Sequence, residues 1–375
     1  MRVIICGGGV IGASTACFLS RRGAKPIVVE RTGVACAASG KSGGFFALEW
    51  CDGTPLQELA RRSFALHASL ADELPGEWGY RRLTTWSGIQ RAGRFARPRP
   101  AERGPDWIAP EVVLDRRLGT TDTTAQVNPG QFTAALMRAA EGMGAELRLG
   151  EVRGILRGAG GTRITGVEVD GEAVHGEAVV IAMGPWSVLA SRWLPFPAVY
   201  GSKGHSLVFS TADNVSADAL FLEAREASGA MHSPEIFPRP DGTVWACAIS
   251  SDSALPVDPA DVAPDPGAMD RLRALCAKLS PALAESSVVA EQACFRPVTR
   301  DGLPLIGAIP GVEGAYAATG HSVWGILNAP ATGEAIAELI LDGVARTIDL
   351  SPFDPGRLPA LAPDSLRAGS AAARL

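Results

Sequence analysis

Three glycines, Gly7, Gly9 and Gly12, follow a short apolar run from Val3 to Cys6, and a carboxylate, Glu30, closes a second apolar run from Ile27 to Val29. The spacing is G-x-G-x-x-G, and each glycine has a separate task in holding a dinucleotide. Gly7 permits the tight turn, Gly9 lets a pyrophosphate approach the backbone, and Gly12 lets the next helix pack closely on its strand. Val10, Ile11, Ala13, Ala16, Phe18 and Leu19 form the sheet-facing side of that helix. Its amino end offers free N–H groups and a partial positive charge to phosphates. Glu30 follows Gly12 at close to the usual spacing of about 20 residues, where it can accept both hydroxyls of an adenosine ribose and disfavour a 2′-phosphate. Together these residues predict a β-α-β dinucleotide site.

Such a turn serves NAD and FAD alike, so the remaining motifs must decide. AASGKSGGFFA, Ala37 to Ala47, is a second small-residue stretch whose Ser39, Ser42, Gly43 and Gly44 could line a long cofactor beyond its pyrophosphate. An NAD enzyme would not need it there. EAVVIAMGPWS, Glu177 to Ser187, reads as a buried strand ending in Ala182, Met183 and Gly184, a place to pass under the same nucleotide. CFRPVTRDGLPLIG, Cys294 to Gly307, precedes AATGHSVWGILNAPATGEAIAELI, Ala317 to Ile340, in which Gly320 and Gly325 punctuate the entry to a long amphipathic helix.

On these four stretches the sequence resembles the FAD-dependent family of D-amino-acid oxidase, glycine oxidase, monomeric sarcosine oxidase and D-amino-acid dehydrogenase, from Met1 to about Arg357. The resemblance implies an α/β (α+β) fold: a discontinuous Rossmann-like FAD-binding domain interleaved with a mixed-sheet substrate domain. FAD-domain segments are expected at 1–75, 126–195 and 291–358, substrate-domain segments at 76–125 and 196–290, and a flexible tail at 359–375. Implied FAD contacts are Gly7, Gly9, Val10, Ile11, Gly12, Glu30, Arg31, Ser39, Lys41, Ser42, Gly43, Gly44, Val152, Ala182, Gly184, Trp186, Arg296, Gly320, His321, Gly325 and Ile326. Val152 would meet adenine through its backbone. Cys294 matches a cysteine that carries the flavin in monomeric sarcosine oxidase, whereas other members with this stretch hold FAD noncovalently, which is the expectation here.

The implied chemistry is oxidation of the C–N bond of a small amino acid or secondary amine to an imine, with oxygen or a quinone pathway as electron acceptor and hydrogen peroxide as the oxidase product. Arg296 is the expected carboxylate anchor, since a guanidinium grips a carboxylate with two parallel hydrogen bonds. An ion pair with Asp301 is its bland alternative. His321, His232 and Lys41 are the other candidate catalytic residues: His321 at the helix entry, Lys41 as a cation near the flavin, and His232, with Glu235, where relatives place substrate-facing groups. Lys203, His205, Trp50 and Trp324 are weaker candidates. Rival readings are a 2-hydroxy-acid oxidoreductase, which needs a histidine base, and a catalytically silent flavoprotein serving as a binding or trafficking module.

The elements that would position these groups are legible in outline. Pro129 opens a helix carrying Phe132, Leu136, Met137 and Ala140, with Gly144 after its end. Val152 to Val180 reads as strands around an Asp170-Gly171 turn, and Phe237 to Ser250 as a hairpin. A net charge of −5 argues against nucleic acid, and the seven arginines between residues 81 and 103 read as a solvated face. Seven cysteines without a C-x-x-C pair indicate neither disulfides nor zinc, and no histidine has ligand spacing. No apolar run is long enough for a membrane span, and no signal peptide is expected. A cytoplasmic location is expected, or a peroxisomal one in a eukaryote, because Ala373-Arg374-Leu375 resembles an S-K-L address.

Overall fold

A computed structural model of the chain describes residues 1–91, 104–211 and 215–366. Two sheets dominate it. The first has six strands in the order Leu305–Ala308, Ala315–Thr319, Ala178–Ile181, Val3–Cys6, Ile27–Glu30 and Glu146–Leu149. All neighbours are parallel except the edge pair formed by Leu305–Ala308 and Ala315–Thr319. Its central strands are apolar apart from the terminal Glu30 because both faces are covered, as expected of a parallel sheet. On one face lie the helices Val10–Arg21, Gln57–Glu73, Pro129–Gly142 and Gly325–Asp342. The other face packs against a three-stranded antiparallel sheet, Val152–Arg157, Ile164–Val169 and Glu172–His175, through Ile164, Val167, Val169 and Val174. Asp170 and Gly171 both have positive φ, 50° and 87°, and make its tight turn.

The second sheet has eight strands and is mixed. Its main path runs Ser287–Val298, Tyr200–Ser210, Thr243–Ser251, Glu235–Pro238, Asp218–Arg225, Thr84–Gln90 and Val112–Gly119. The helix Ala268–Leu279 lies against one of its faces. A small sheet of Phe45–Ala47, Thr124–Gln126 and Arg81–Arg82 sits where the chain passes between the two systems. The helix opened by Pro129 is capped by Asn128, whose side chain accepts the Gln131 N–H.

Several expectations are corrected. The boundary placed between residues 290 and 291 falls inside one continuous strand, Ser287–Val298, so Cys294 and Arg296 belong to the large sheet. The expected tail is packed as far as it is described: Ala360 bridges Pro197, and the Leu361 N–H donates to the Phe196 carbonyl at 2.9 Å. The helix Gly325–Asp342 is not amphipathic in its first half, being buried without interruption from Ile326 to Gly333 between neighbouring helices. Arg81 and Arg82 do not form a solvated face. The Arg81 guanidinium donates to the Pro238 carbonyl, and Arg82 lies 4.5 Å from the Phe64 ring centre. Arg94, Arg97, Arg99 and Arg103, and the terminal Ala373-Arg374-Leu375, lie outside the described residues.

Candidate active site

One cavity of about 480 Å³ runs from Glu30 at the end of its strand to the face of the large sheet. At the Glu30 end it is built by backbone. Gly7 has φ +112° and a Cβ there would overlap the Ala182 carbonyl, which explains why the first turn and the Ala182–Gly184 stretch can lie together. A Cβ on Gly12 would overlap the Gly7 carbonyl oxygen, so Gly12 fixes how closely helix and strand pack. Glu30 accepts the Gly8 N–H at 2.7 Å and the Thr32 N–H at 2.9 Å, which orient its carboxylate. Ser39 accepts the Val10 N–H at 2.9 Å, tying the second small-residue stretch to the amino end of the first helix. Arg31 links Glu151 at 3.2 Å and Asp258 at 3.0 Å, so the loop carrying Val257 and Pro259 closes over this end.

The opposite end is built by side chains on the large sheet. Strand register sets Glu235 opposite Cys247, Cys247 opposite Ser206, and Gly204 opposite Cys294. All five, with Arg296, line the cavity. A Cβ on Gly204 would lie 3.3 Å from Arg296 Nη2, so glycine leaves room for the guanidinium. The Arg296 side chain makes no hydrogen bond or ion pair among the described residues; Asp301 is held instead by Arg357 at 2.7 Å, so the Asp301 alternative is overturned. Burial pushes the Glu235 carboxyl above its ordinary range, and Arg296 partly offsets this. Burial also raises the Cys294 thiol, against the pull of Arg296 and Lys41. Phe45, Trp50, Phe221, Phe237 and Trp245 complete an aromatic wall, with Phe237 and Trp245 stacked at 5.3 Å.

Lys41 and the amino end of the carboxyl-terminal helix form the middle. The Lys41 ammonium donates to the Ala293 carbonyl at 3.2 Å, and the Lys41 carbonyl accepts the Trp245 indole N–H at 3.0 Å. His321, Ser322, Val323, Trp324, Gly325 and Ile326 line the cavity where that helix begins. His321 bonds Thr332 Oγ1 through Nε2 at 3.0 Å, and burial lowers its pKa to about 3, so the ring is neutral.

The cavity thus gathers Gly7, Gly9, Val10, Ile11, Glu30, Arg31, Ser39, Lys41, Ser42, Gly43, Gly44, Val152, Ala182, Gly184, Trp186, Arg296, His321, Gly325 and Ile326. It does not gather Gly12, which acts by packing, or Gly320, whose φ of +81° makes the turn before His321. His232 is also misplaced by the sequence reading: it bonds Glu226 at 2.8 Å, Arg271 bonds the same carboxylate, and none of the three lines the cavity. Lys203 pairs with Asp265 rather than facing the cavity. His67 was missed. It lies buried beneath the site, its Nε2–H donating to the Ile326 carbonyl at 2.9 Å.

Fold and cavity together have the form of a dinucleotide-binding oxidoreductase whose cavity continues from the nucleotide end onto the large sheet. The chain belongs to the family described as DAO, FAD dependent oxidoreductase, which matches residues 2–339. It is 30% identical to a Schizosaccharomyces pombe protein named only as an oxidoreductase, over 94% of this chain and 97% of that one. It is also 30% identical to glycine oxidase of Pseudomonas aeruginosa, over 95% of this chain and 99% of that one. In fold it matches glycine oxidase of Bacillus cereus with a TM-score of 0.78 at 24% identity, covering 94% and 99% of the two chains. The residues present fit FAD. Ser42 Oγ and His321 Nδ1 are buried in the lining without a hydrogen-bond partner among the described residues, and a Cβ on Gly184 would meet nothing within 4 Å. No described helix is long and apolar enough to cross a membrane.

Proposed function

We propose that the protein oxidises the C–N bond of a small amino acid or secondary amine to an imine, which water then hydrolyses. The observation that carries this reading is the unpaired Arg296 guanidinium on the cavity face of the sheet, near a half-buried carboxyl, Glu235. Bound FAD supplies the electron acceptor. Arg296 grips the substrate carboxylate with two parallel hydrogen bonds and fixes its angle. Glu235 accepts a hydrogen bond from the substrate nitrogen, and the aromatic wall keeps water away. An amine that binds neutral requires no dedicated base. The FAD is held noncovalently, which the raised pKa of the Cys294 thiol supports, because the thiolate is the reactive form. Oxygen or a quinone pathway takes the electrons onward.

The hydroxy-acid reading needs a base for a hydroxyl proton. His232 is tied up outside the cavity, and His321, with a pKa of about 3, is a weak base. Both observations favour the amine. Anaerobic bleaching of the flavin across amines, D- and L-amino acids and 2-hydroxy acids tests the proposal. Bleaching by an amine or amino acid is expected. Bleaching by hydroxy acids alone would replace the reading with its rival, and bleaching by nothing would favour a silent binding module.

A further inference from the structure

The helix Gly325–Asp342 meets the cavity with its amino end and carries Pro330 in its second turn. Proline has no N–H, so the Ile326 carbonyl, four residues earlier, has no intrahelical donor. Ile326 itself lines the cavity. The missing partner comes from another helix, Gln57–Glu73. His67 Nε2 lies 2.9 Å from the Ile326 carbonyl and 3.3 Å from that of Leu327. Two carbonyl acceptors require Nε2 to carry the proton, which leaves Nδ1 bare; Nδ1 is buried and has no partner among the described residues. One turn back on the same face, Ser63 Oγ accepts the Ala331 N–H at 3.0 Å. The imidazole cannot tilt away. It stacks on Phe46 at 4.2 Å and 21° and meets Phe132 at 4.8 Å. From the other side, His321 pins the entry turn to Thr332.

The carbonyl that His67 engages belongs to the same peptide group as the Leu327 N–H, one of the first-turn donors without an intrahelical partner. A hydrogen bond to the oxygen of a peptide polarises it and strengthens its N–H as a donor. We propose that Ser63 and His67 are positioning residues: they supply from outside the hydrogen-bond partners disturbed by Pro330, and hold the cavity-facing first turn in the geometry that sets the reduction potential of bound flavin. Reduction adds negative charge to the flavin, and a correctly aimed helix amino end stabilises that charge. The inference rests on FAD binding at this cavity and not on the identity of the substrate.

The test is the midpoint potential of bound FAD, measured by dye-referenced reductive titration, with the melting temperature recorded beside it. His67→Phe keeps an aromatic ring between Phe46 and Phe132 but removes the donor. Its potential should fall by about 30 mV, the two-electron equivalent of a tenfold loss in preference for reduced over oxidised flavin. His67→Gln can place an N–H near the Nε2 position and should recover most of that shift. Ser63→Ala should shift the potential the same way by about threefold in that preference, and it decides the matter if His67→Phe fails to fold. A lowered melting temperature with an unchanged potential in the variants that bind FAD would reduce the pair to a structural role and overturn the proposal, as would a His67→Gln potential as low as that of His67→Phe. Substrate does not enter the titration, so a failed bleaching panel would leave its outcome readable.

Discussion

The two ends of the cavity are made differently. At the Glu30 end the groups are mostly backbone: peptide N–H groups of the first helix and carbonyls packed against Gly7 and Gly12, joined by one side chain, the Glu30 carboxylate, which the Gly8 and Thr32 amides orient. At the large-sheet end they are side chains, Glu235, Cys247, Cys294 and Arg296, brought together by the register of four strands. A backbone site needs glycine where a Cβ would collide, and its first elements, from Gly7 to Glu30, are close in sequence. A side-chain site built by register can change one residue at a time without disturbing the strands. On the proposed function the first end would hold the cofactor, and the second the substrate.

Substitutions can break that division, and the largest effect is expected at Gly12. A valine there would drive its side chain into the Gly7 carbonyl and push helix from strand, so Gly12→Val should abolish flavin binding, read as loss of the yellow chromophore on purification. Next comes Arg296→Ala. It should leave FAD bound while raising KM for a carboxylate substrate by about 100-fold, the loss of a charge-assisted bidentate pair of about 3 kcal/mol. Glu235→Gln keeps the shape and a carbonyl acceptor; it should lower kcat/KM by about tenfold and flatten the acid limb of the pH profile. If it also weakened FAD binding, the two ends would not be separable in this way.

A separate expectation concerns stability against pH. Burial lowers the pKa of His67 to about 4 and that of His321 to about 3, so both rings are neutral in the fold while the unfolded chain protonates near 6.5. Below about 6.5 the unfolded state binds more protons, so stability should fall as pH drops toward 4, by up to about 1.4 kcal/mol per pH unit for each ring. Denaturant midpoints from pH 7 to pH 4.5 should show this slope, and His67→Gln should remove the share of one ring.

This division also explains what the sequence disclosed. Gly7 and Gly12 are readable because steric necessity fixes both residue type and spacing, and Gly9 and Glu30 are readable as parts of the same motif. Arg296 is readable through its motif. Glu235 and Cys247 become neighbours only through a hairpin register, and His232, three residues before Glu235, is turned outward into the Glu226 and Arg271 cluster. His67 is farther still from legibility, because its partners lie on a helix near the other end of the chain. A signal was present: Pro330 inside a helical pattern demands an outside donor, and Ser63 and His67, four apart on the buried face of another helix, could supply hydrogen-bond partners.

Anaerobic titration of the unsubstituted protein and Arg296→Ala, each with an amino acid that bleaches the flavin and with its decarboxylated amine, tests whether Arg296 anchors a substrate carboxylate. The unsubstituted protein should bleach at much lower concentrations of the amino acid than of the amine, and Arg296→Ala should remove this difference while keeping its flavin. Equal concentration dependence for the two compounds in the unsubstituted protein, or an undiminished preference in Arg296→Ala, would contradict that role.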